Sequence, residues 1–409
     1  MFSVLTVSEA KALLEQSFPY AGTSEKVPLE EGLHRVLAAP VFANEYLPPF
    51  PRSTMDGYAV MAENTFGASE SMPALLKVTG EVFMGELPSR RLEKGEAFQV
   101  YTGSVLPENA DSVVMLEYTE TLKEGELAVL RPVAPGENIL ARGDDFMSGE
   151  EILSSGHFIR PQDLGALAGM GVTELEVVEQ PLIAIISTGD EIVDYRETPT
   201  SGQIRDINST LIFSQIKSLG ANPVSLGIVK DHEEELSKAL ERGTQIADGV
   251  VITGGTSVGA RDVTVEAIEC NKGGEILFHG MAVRPGKPSI LGKIEGKPVC
   301  GLSGNPTSAM IGFLLLVKPY IRKLLGLPAE ELFPREINAV LLRNLPSTGG
   351  REDYYRVLVY YAEEGWRAEP VFGPPGLTNT MVRSHGIVKI PQNSEGFYRG
   401  DEVKVYILE

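Results

Sequence analysis

The stretch that decides the fold is 182–191, which reads LIAIISTGDE, an apolar run followed by hydroxyl, glycine and acidic residues. A short apolar run bounded by such residues is typical of a buried strand that ends in a loop. Similar runs recur as far as residue 302 and alternate with segments of helical periodicity. Because parallel neighbours need a crossover connection, this alternation predicts a doubly wound, mostly parallel sheet with helices on both faces.

The alternation also sets the limits of the predicted elements. Pro319 lies inside the last helix, where its ring and its missing amide hydrogen predict a kink. The expected strands are 182–187, 223–229, 249–253, 275–279 and 299–302, and the expected helices are 209–219, 232–246, 263–270 and 307–325.

On both sides of this region the chain is rich in short β-like runs. A capping box of Thr6 and Glu9 predicts a first helix of about ten residues. Pro161 at a first turn predicts another helix over 161–168. Runs broken by proline and glycine predict strands at 75–82, 97–102, 112–117, 127–132 and 174–178. Five further runs predict a small barrel or sandwich, at 337–342, 354–361, 367–372, 386–390 and 402–408.

These patterns predict an α/β multidomain protein. It combines a doubly wound, mostly parallel sheet domain with a β-rich inserted domain and a C-terminal small β-barrel. The length of 409 residues agrees with several domains, since single cores stop growing at about 250 to 300 residues. The expected limits are 1–47 with 146–180 for an N-terminal linking domain, 48–145 for the insertion, 181–326 for the doubly wound domain and 327–409 for the barrel.

Composition excludes several classes of function. The chain has 36 basic and 56 acidic residues and a net charge of −20, which argues against nucleic acid as the main partner. No apolar run approaches the roughly 18 residues of a membrane helix, so we expect no membrane partner. Cys270, Cys300 and the five histidines have no zinc-ligand spacing, which favours a reducing compartment. Without a signal-peptide pattern, we expect a cytoplasmic protein.

Four loops of the predicted sheet share one position, the carboxyl edge, where an open parallel sheet forms its ligand crevice. Glycines there let backbone amides approach a ligand, and hydroxyls can donate to phosphate-like oxygens. Pro306 suits the first position of the last helix and should leave the amides after it free to face an anion. The candidate substrate-binding residues of these loops are Ser187, Thr188, Gly254, Gly255, Ser257, Ser303 and Pro306.

Three carboxylates, Glu191, Asp231 and Asp262, project from the same edge. Negative charge beside an anion is unfavourable unless a divalent cation bridges the two, and oxygen ligands with waters suit Mg²⁺. We therefore expect these carboxylates to bind the metal and to act in catalysis. Arg284 and Lys287, on a proline-stiffened turn, would form an anion clamp. The alternatives are helix caps, solvated loop charges and a plain hairpin.

The β-rich insertion contains three unusual segments: PPFPRSTMDGYA at 48–59, YTG at 101–103 and RGDD at 142–145. Each is also compatible with ordinary turn chemistry, and their spacing does not indicate what they bind. In the doubly wound region, a Walker lysine and a Gly-x-Gly-x-x-Gly motif are both missing, which disfavours an ordinary ATPase or a Rossmann dehydrogenase.

Seven motifs in order along the whole chain resemble those of the molybdopterin molybdenumtransferases, the family that includes the E domain of gephyrin. The motifs are STMDGYA at 53–59, TG at 102–103 with ADSVV at 110–114, RGDD at 142–145, STGDE at 187–191, GGTSVG at 254–259, RPGKP at 284–288 and GNP at 304–306. The resemblance implies a doubly wound domain of the molybdopterin-binding type.

The resemblance implies an enzyme of the last common step of molybdenum cofactor synthesis. Such an enzyme takes adenylylated molybdopterin and molybdate, places the metal on the dithiolene and releases AMP, usually with Mg²⁺. The family also implies an elongated homodimer with its active site between subunits. There the doubly wound domain of one subunit faces the β-rich insertion of the other.

The resemblance of the motifs also implies roles for individual residues. Glu191, Asp231 and Asp262 would serve the cation and the adenylate phosphate, Arg284 and Lys287 would bind the anionic ligands, and Asp56, Thr102 and Asp145 would form the opposing wall, with Asp56 also a catalytic candidate. Two departures stand out. Ser303 replaces the usual first proline of its motif, which puts the shape of the oxoanion pocket and the choice between molybdate and tungstate in doubt. Arg284 replaces a common lysine with a different donor geometry.

Two other functions use related domains. A scaffold protein of this fold would have lost the carboxylates at the sheet edge, yet all three are present. A molybdopterin adenylyltransferase acts one step earlier and needs only the compact domain, so the long insertion argues against it.

Overall fold

The computed structural model describes residues 4–19, 22–255, 263–328 and 335–408. These residues form two compact units. Unit 1 comprises the described residues of Met1–Glu25, His34–Val36 and Val177–Glu409, and unit 2 comprises those of Lys26–Leu33 and Leu37–Glu176. The four domain limits given above stay a prediction.

Most of the predicted helices and strands are present, whereas helix α8 and many strands of two or three residues were not predicted. The helices are α1 Val7–Ser17, α2 Pro161–Gly169, α3 Asn208–Ser218, α4 Glu233–Ile246, α5 Val263–Cys270, α6 Pro306–Gly312, α7 Lys318–Leu324 and α8 Asn379–Val382. The strands are β1 Ser24–Pro28, β2 Val41–Phe42, β3 Arg52–Ser53, β4 Gly57–Val60, β5 Ala74–Val82, β6 Glu96–Val100, β7 Ser112–Met115, β8 Thr119–Thr121, β9 Glu126–Val129, β10 Ile139–Leu140, β11 Glu151–Leu153, β12 Glu174–Val178, β13 Leu182–Thr188, β14 Ile192–Val193, β15 Ile204–Arg205, β16 Asn222–Val229, β17 Gly249–Thr253, β18 Glu275–His279, β19 Val283–Arg284, β20 Ile290–Ile294, β21 Lys297–Leu302, β22 Glu336–Leu341, β23 Leu345–Pro346, β24 Glu352–Ala362, β25 Gly365–Pro370, β26 Gly386–Ile390, β27 Gly396–Phe397 and β28 Glu402–Ile407.

Unit 1 is centred on a six-stranded sheet in the order β16-β13-β17-β21-β20-β18. The first four strands are parallel, and β20 and β18 pair antiparallel, so the predicted mostly parallel sheet is confirmed. Ala184 and Ile186 pack with Leu236 of α4 and Ile268 of α5 in one core cluster. Because side chains alternate along a strand, Ile185 points to the opposite face, where it is equally buried.

One strand of this sheet, β20, was not predicted. Gly292 and Lys293 interrupt its apolar run, so its sequence has neither strict alternation nor a continuous apolar stretch. It pairs with β21 through a tight turn at Glu295 and Gly296, both of which have positive φ. The turn accounts for the antiparallel direction, since two neighbouring strands joined by a short turn cannot be parallel.

The predicted single helix over 307–325 is wrong in detail. The chain forms α6, a π-helical stretch at Phe313–Val317 and then α7. Pro319 has no amide hydrogen for the carbonyl four residues earlier, and its ring would crowd that carbonyl in a regular helix. A widened turn just before the proline relieves this conflict, so the proline produces a π-helical stretch inside the helical segment.

The C-terminal part of unit 1 is a closed five-stranded barrel, in agreement with the predicted barrel or sandwich. Strands β24, β25, β22, β28 and β26 pair in that order, and β26 pairs back with β24. Val357, Val388 and Val405 are fully buried among its core residues. The short strand β19, which contains Arg284, pairs with β24 and so attaches the 284–288 turn to the barrel.

Unit 2 contains a second six-stranded sheet, in the order β7-β4-β6-β5-β9-β8. Its pairs are antiparallel except β5 with β6. Two apolar clusters pack on this sheet, one around Leu127 and one around Phe98. Outside the sheet, helix α2 begins at Pro161 as predicted. In the described parts of the chain, no helix is long and apolar enough to cross a membrane.

Candidate functional site

A cavity of about 660 Å³, here called the edge cavity, opens at the carboxyl ends of the parallel strands in unit 1. Four strands end at it, and the loop after each strand supplies part of its wall. This arrangement follows from the parallel topology, which brings the ends of distant segments to one edge. Eight of the residues proposed from the sequence line it: Ser187, Thr188, Glu191, Asp231, Gly254, Gly255, Ser303 and Pro306.

Close backbone packing holds the centre of the edge cavity together. Thr188 Oγ1 donates to Asp231 Oδ1 at 2.5 Å, which joins the end of β13 to the loop after β16. Gly254 has a φ of +99°, and a Cβ atom there would lie 2.1 Å from the Thr188 carbonyl oxygen. A Cβ at Gly255 would meet the Thr188 methyl group at 2.9 Å. Glycine is therefore required at 254 by both the backbone angle and the space.

The loop at 303–306 supplies polar groups on another side of the edge cavity. Ser303 is buried, and its Oγ accepts a hydrogen bond from the Asn305 amide at 3.3 Å. Pro306 begins α6, as the sequence predicts. The expectation that the amides after it are free is wrong for Thr307, whose amide donates to the Pro375 carbonyl at 3.2 Å. The segment 374–376 of the C-terminal part therefore accepts the hydrogen bond of an amide that we expected to face an anion.

Arg284 and Lys287 lie beside neighbouring cavities instead of in the edge cavity. Both line a cavity of about 500 Å³, which shares only Pro288 with the edge cavity. Arg284 also lines a cavity of about 440 Å³ on the barrel side. The turn is fixed by Ser289 Oγ, which donates to the Gly286 carbonyl at 2.7 Å. Two exposed cations are thus presented next to the edge cavity.

Arg356 is a functional candidate that the sequence reasoning missed. It lines the same barrel-side cavity as Arg284, is only 6% exposed, and its Nε has no hydrogen-bond partner among the described residues. Its Nη2 makes one long bond of 3.4 Å to the Gly373 carbonyl. Burial lowers the pKa of Arg356. A buried guanidinium with open donors suits an anion, and an arginine directly before the apolar run 357–359 could have revealed it.

Two of the predicted metal ligands, Glu191 and Asp231, line the edge cavity. Asp262, the third, and Ser257 lie outside the described residues. Within 4–19, 22–255, 263–328 and 335–408, no group of three or more His, Cys, Asp or Glu side chains could hold a metal ion. Besides Glu191 and Asp231, the carboxylate of Asp206 and the hydroxyl of Thr188 also line this cavity.

The other predicted residues belong to unit 2. Asp56 Oδ1 accepts two hydrogen bonds from Thr102, from its amide at 2.8 Å and its hydroxyl at 3.0 Å. These bonds lower the pKa of the Asp56 carboxyl, so it is ionised and its orientation is fixed. Asp145 is exposed on a separate turn in which Gly143 has a φ of +79°. The structure thus joins Asp56 to Thr102 directly, and among the described contacts none joins Asp145 to either.

Two further residues of the edge cavity, Asp206 and Asn208, were also missed. Asp206 Oδ1 accepts from the Ser209 amide at 3.0 Å and so caps α3, and Asn208 Nδ2 donates to the Gly304 carbonyl at 2.9 Å. Both are buried. The order Asp-Ile-Asn-Ser just before a predicted helix is typical of a helix N-terminus, and this signal would have located them.

The fold and the edge cavity define the class of protein: a doubly wound α/β protein with a ligand cavity at the carboxyl edge of its strands, a β-rich second unit and a C-terminal barrel. Three family models match. They are the MoeA N-terminal region (domain I and II) at 5–171, the "Probable molybdopterin binding domain" at 184–323 and the MoeA C-terminal region (domain IV) at 338–408. The chain belongs to the molybdopterin molybdenumtransferase family.

Similar proteins match along almost their whole length. A molybdopterin molybdenumtransferase of Haemophilus influenzae is 31% identical, with 98% of each chain covered. A protein of Methanocaldococcus jannaschii named for molybdopterin biosynthesis is 35% identical over 98% of this chain and 97% of its own. The crystal structure of the molybdopterin biosynthesis moeA protein from Pyrococcus horikoshii is 32% identical, covers 99% of this chain and 100% of that one, and has a TM-score of 0.85.

Proposed function

We propose that this chain is a molybdopterin molybdenumtransferase, which inserts molybdate into adenylylated molybdopterin and releases AMP in molybdenum cofactor biosynthesis. The observation that carries the proposal is that eight residues proposed from the sequence line one cavity, in a chain that belongs to this family. A phosphate-bearing substrate is consistent with the hydroxyls and closely packed glycines of that cavity. Family membership supports the molybdopterin part.

Cations near the cavity offset the net charge of −20. Arg284 and Lys287 are exposed on one turn, and the buried Arg356 lines a cavity that also includes Arg284. Both molybdate and phosphate are oxoanions, which fixed arginine donors bind well. We propose that this cationic group receives molybdate, and that the edge cavity holds the adenylylated substrate.

We propose Mg²⁺ as the metal. Mg²⁺ is usually bound by one or two carboxylates together with waters and substrate phosphates. Glu191 and Asp231 fit this requirement, because both line the edge cavity and no closed cage of protein ligands is needed. When bound, the cation would neutralise charge that develops on the phosphate during cleavage. The protein's own part is to hold Asp231 in place through Thr188, and by the motif resemblance Asp262 would join this set.

The reaction needs no covalent intermediate on the protein. Asp56 is held as an ionised carboxylate by Thr102, and its second oxygen is not part of that pair. We propose that Asp56, Thr102 and Asp145 of one subunit face the edge cavity of another in a homodimer. Their contribution would be to position the substrate and to stabilise charge in the transition state. The cytoplasmic location expected from the sequence stays a prediction.

The activity is tested with purified protein, Mg²⁺, molybdate and adenylylated molybdopterin. We expect AMP release together with a product that activates a molybdenum enzyme lacking its cofactor. Leaving out molybdate or adding excess chelator is the control, and each should suppress product formation. Formation of adenylylated molybdopterin from ATP, without added molybdate, would instead assign the earlier adenylyltransferase step. No AMP above background would refute the proposal.

The shared active site is tested by mixing two inactive variants, Asp56→Asn and Asp231→Asn. A mixed dimer would contain one site with both changes and one intact site, so full exchange should restore about a quarter of the wild-type activity. Light scattering should give twice the mass of the chain. If the mixture stays inactive while subunit exchange is demonstrated, Asp56 and Asp231 act within one subunit or not together.

A further inference from the structure

The amide side chain of Asn208 is the most unusual polar group at the edge cavity. Asn208 is 8% exposed, begins α3 and lines the cavity. Its Nδ2 donates to the Gly304 carbonyl at 2.9 Å, while its Oδ1 is buried without a hydrogen-bond partner among the described residues. The carbonyl of Gly304 can only accept, so Nδ2 must face it, and this fixes which amide atom is Oδ1.

A buried oxygen without a partner is unfavourable, and polar groups left in this state often have a functional explanation. A hydrogen-bond partner of Oδ1 must be a donor, since an amide oxygen has no hydrogen to give. Phosphate and molybdate oxygens at neutral pH are acceptors, so they cannot satisfy Asn208. Within the proposed substrate, the groups that can donate to Oδ1 are therefore the N–H and O–H groups of its organic part.

The wall next to Asn208 indicates which organic part this is. Ile192, Ile204 and Ile207 line the edge cavity together with Asn208, and Ile204 and Ile207 are 54% and 43% exposed. Apolar side chains beside one fixed polar group are typical of a site for a planar ring with a polar edge. The hydroxyls and glycines at the strand ends form the polar part of the cavity, which suits phosphate.

We infer that Asn208 is a specificity residue that accepts a hydrogen bond from the exocyclic amino group of a bound heterocycle. Oδ1 is buried when no ligand is present, so contact requires a small shift of the side chains that cover it. The amino group belongs either to the adenine or to the pterin of the substrate, and this assignment rests on the proposed function. Asn208 would thus hydrogen-bond the bound ring through Oδ1 and the 303–306 loop through Nδ2.

Two pairs of probes test this with wild-type protein. AMP is compared with inosine monophosphate, and pterin-6-carboxylate with lumazine-6-carboxylate, because the second member of each pair lacks the amino group. Calorimetry should give at least about tenfold tighter binding of the amino-bearing member of one pair, since losing it leaves Oδ1 unpaired. The pair that discriminates identifies the source of the amino group.

Two substitutions separate the roles of the side-chain atoms. Asn208→Ala should abolish the preference, so that binding of the amino-bearing probe falls about tenfold more than binding of the deamino probe. Asn208→Asp keeps an acceptor but loses the donor to Gly304, so it should retain most of the preference. Gln215→Ala is the matched control, since Gln215 lies on the same helix and does not line the cavity, while its buried Oε1 also has no partner in the described part of the chain. Its preference should equal that of the wild type.

Folding of each variant is checked by its thermal unfolding. An equal loss for both members of a pair in Asn208→Ala, or no preference in the wild type, would overturn the inference. These outcomes leave AMP release by the wild type intact, so they are distinct from failure of the proposed function. If the wild type binds none of the four probes, the inference fails together with the assignment of the edge cavity to the substrate.

Discussion

The candidate residues of unit 1 and unit 2 are brought together in different ways. In unit 1 the edge cavity is assembled from the ends of parallel strands, so residues as distant as Ser187 and Ser303 meet because of topology. In unit 2 Asp56 and Thr102 meet because β4 and β6 are antiparallel neighbours, with Gly57 opposite Val100. The first site depends on backbone packing, and the second on two hydrogen bonds from one residue.

This difference has consequences for tolerance to substitution. A Cβ at Gly254 would strike the backbone of the neighbouring strand, whereas a Cβ at Gly103, next to Thr102, would meet nothing within 4 Å. Both glycines have positive φ, +99° and +93°. Substitutions that disturb the backbone should therefore damage the unit 1 site most, and substitutions that remove side-chain hydrogen bonds should damage the unit 2 site most.

The largest effect is expected for Gly254→Ala, which should break the unit 1 site. The contact of 2.1 Å with the Thr188 carbonyl adds a steric clash to the backbone strain, and we expect a loss of about 4 kcal/mol or more in the free energy of unfolding. Gly103→Ala is the matched control and carries only the strain, about 1 kcal/mol. Urea denaturation of both variants measures this, and equal losses would contradict the comparison.

The second-largest effect is expected in the activity of a variant of the edge cavity whose fold is unchanged. Asp231→Asn should lower kcat/KM about 100-fold, as the loss of one strong electrostatic contact in a transition state usually does. Asparagine can still accept the bond from Thr188, so thermal unfolding should change little. Asp190→Asn is the control, because Asp190 is exposed in the neighbouring loop after β13 and does not line the cavity. Similar rates in both variants would remove Asp231 from the mechanism.

Most of the fold could be predicted because the hydrophobic periodicity of the sequence indicates where its helices and strands lie. The strands at 249–253 and 275–279 and the helix at 263–270 were predicted with the bounds that the structure gives. What could not be predicted depends on local context. Strand β20 lacks a strand pattern, and the π-helical stretch before Pro319 is one of several ways in which a helix accommodates proline.

The candidate site also has a part that could be predicted from the sequence and a part that could not. The strand-end rule predicted that Thr188, Asp231 and Gly254 lie together, since it needs only the order of the elements. The helix N-terminus signal would have located Asn208, but its contact with the Gly304 carbonyl depends on how α3 packs against the 303–306 loop. Arg356 depends on closure of the barrel around a buried charge. Side-chain contacts of this kind are set by register and packing, which a single sequence does not specify.

A smaller effect is expected in the stability of unit 2, away from its candidate site. The buried Asp163 accepts bonds from Arg160 and His157 at 2.8 and 2.7 Å, and Arg160 holds the pKa of Asp163 well below its ordinary value of 3.8. The carboxylate thus stabilises the fold above about pH 4, and this is lost as the pH falls through the lowered pKa. Asp163→Asn should cost about 2 kcal/mol at pH 7.

Unfolding of Asp163→Asn and wild type should be compared between pH 7 and pH 3. The difference in the free energy of unfolding should begin to shrink below about pH 4, because the unfolded chain binds a proton at Asp163 there while the folded carboxylate, with its lowered pKa, stays charged. Glu174→Gln, at an exposed position of unit 2, should show no such trend. A difference that stays constant with pH would mean that shape, and not charge, explains the role of Asp163.

The smallest effect is expected when Thr102 of the unit 2 site is substituted. Thr102→Val removes the hydroxyl donor to Asp56 at 3.0 Å but keeps the amide donor at 2.8 Å. The pKa of Asp56 should rise toward its ordinary value, since Thr102 is the cause of its lowering. If Asp56 must be ionised, the acid limb of the pH dependence of kcat/KM should move to higher pH, with little change near neutrality. Thr102→Ser keeps the hydroxyl and should leave the profile in place. An unchanged acid limb in Thr102→Val, with a uniform loss of activity at every pH, would mean that Thr102 acts on the substrate directly and not through Asp56.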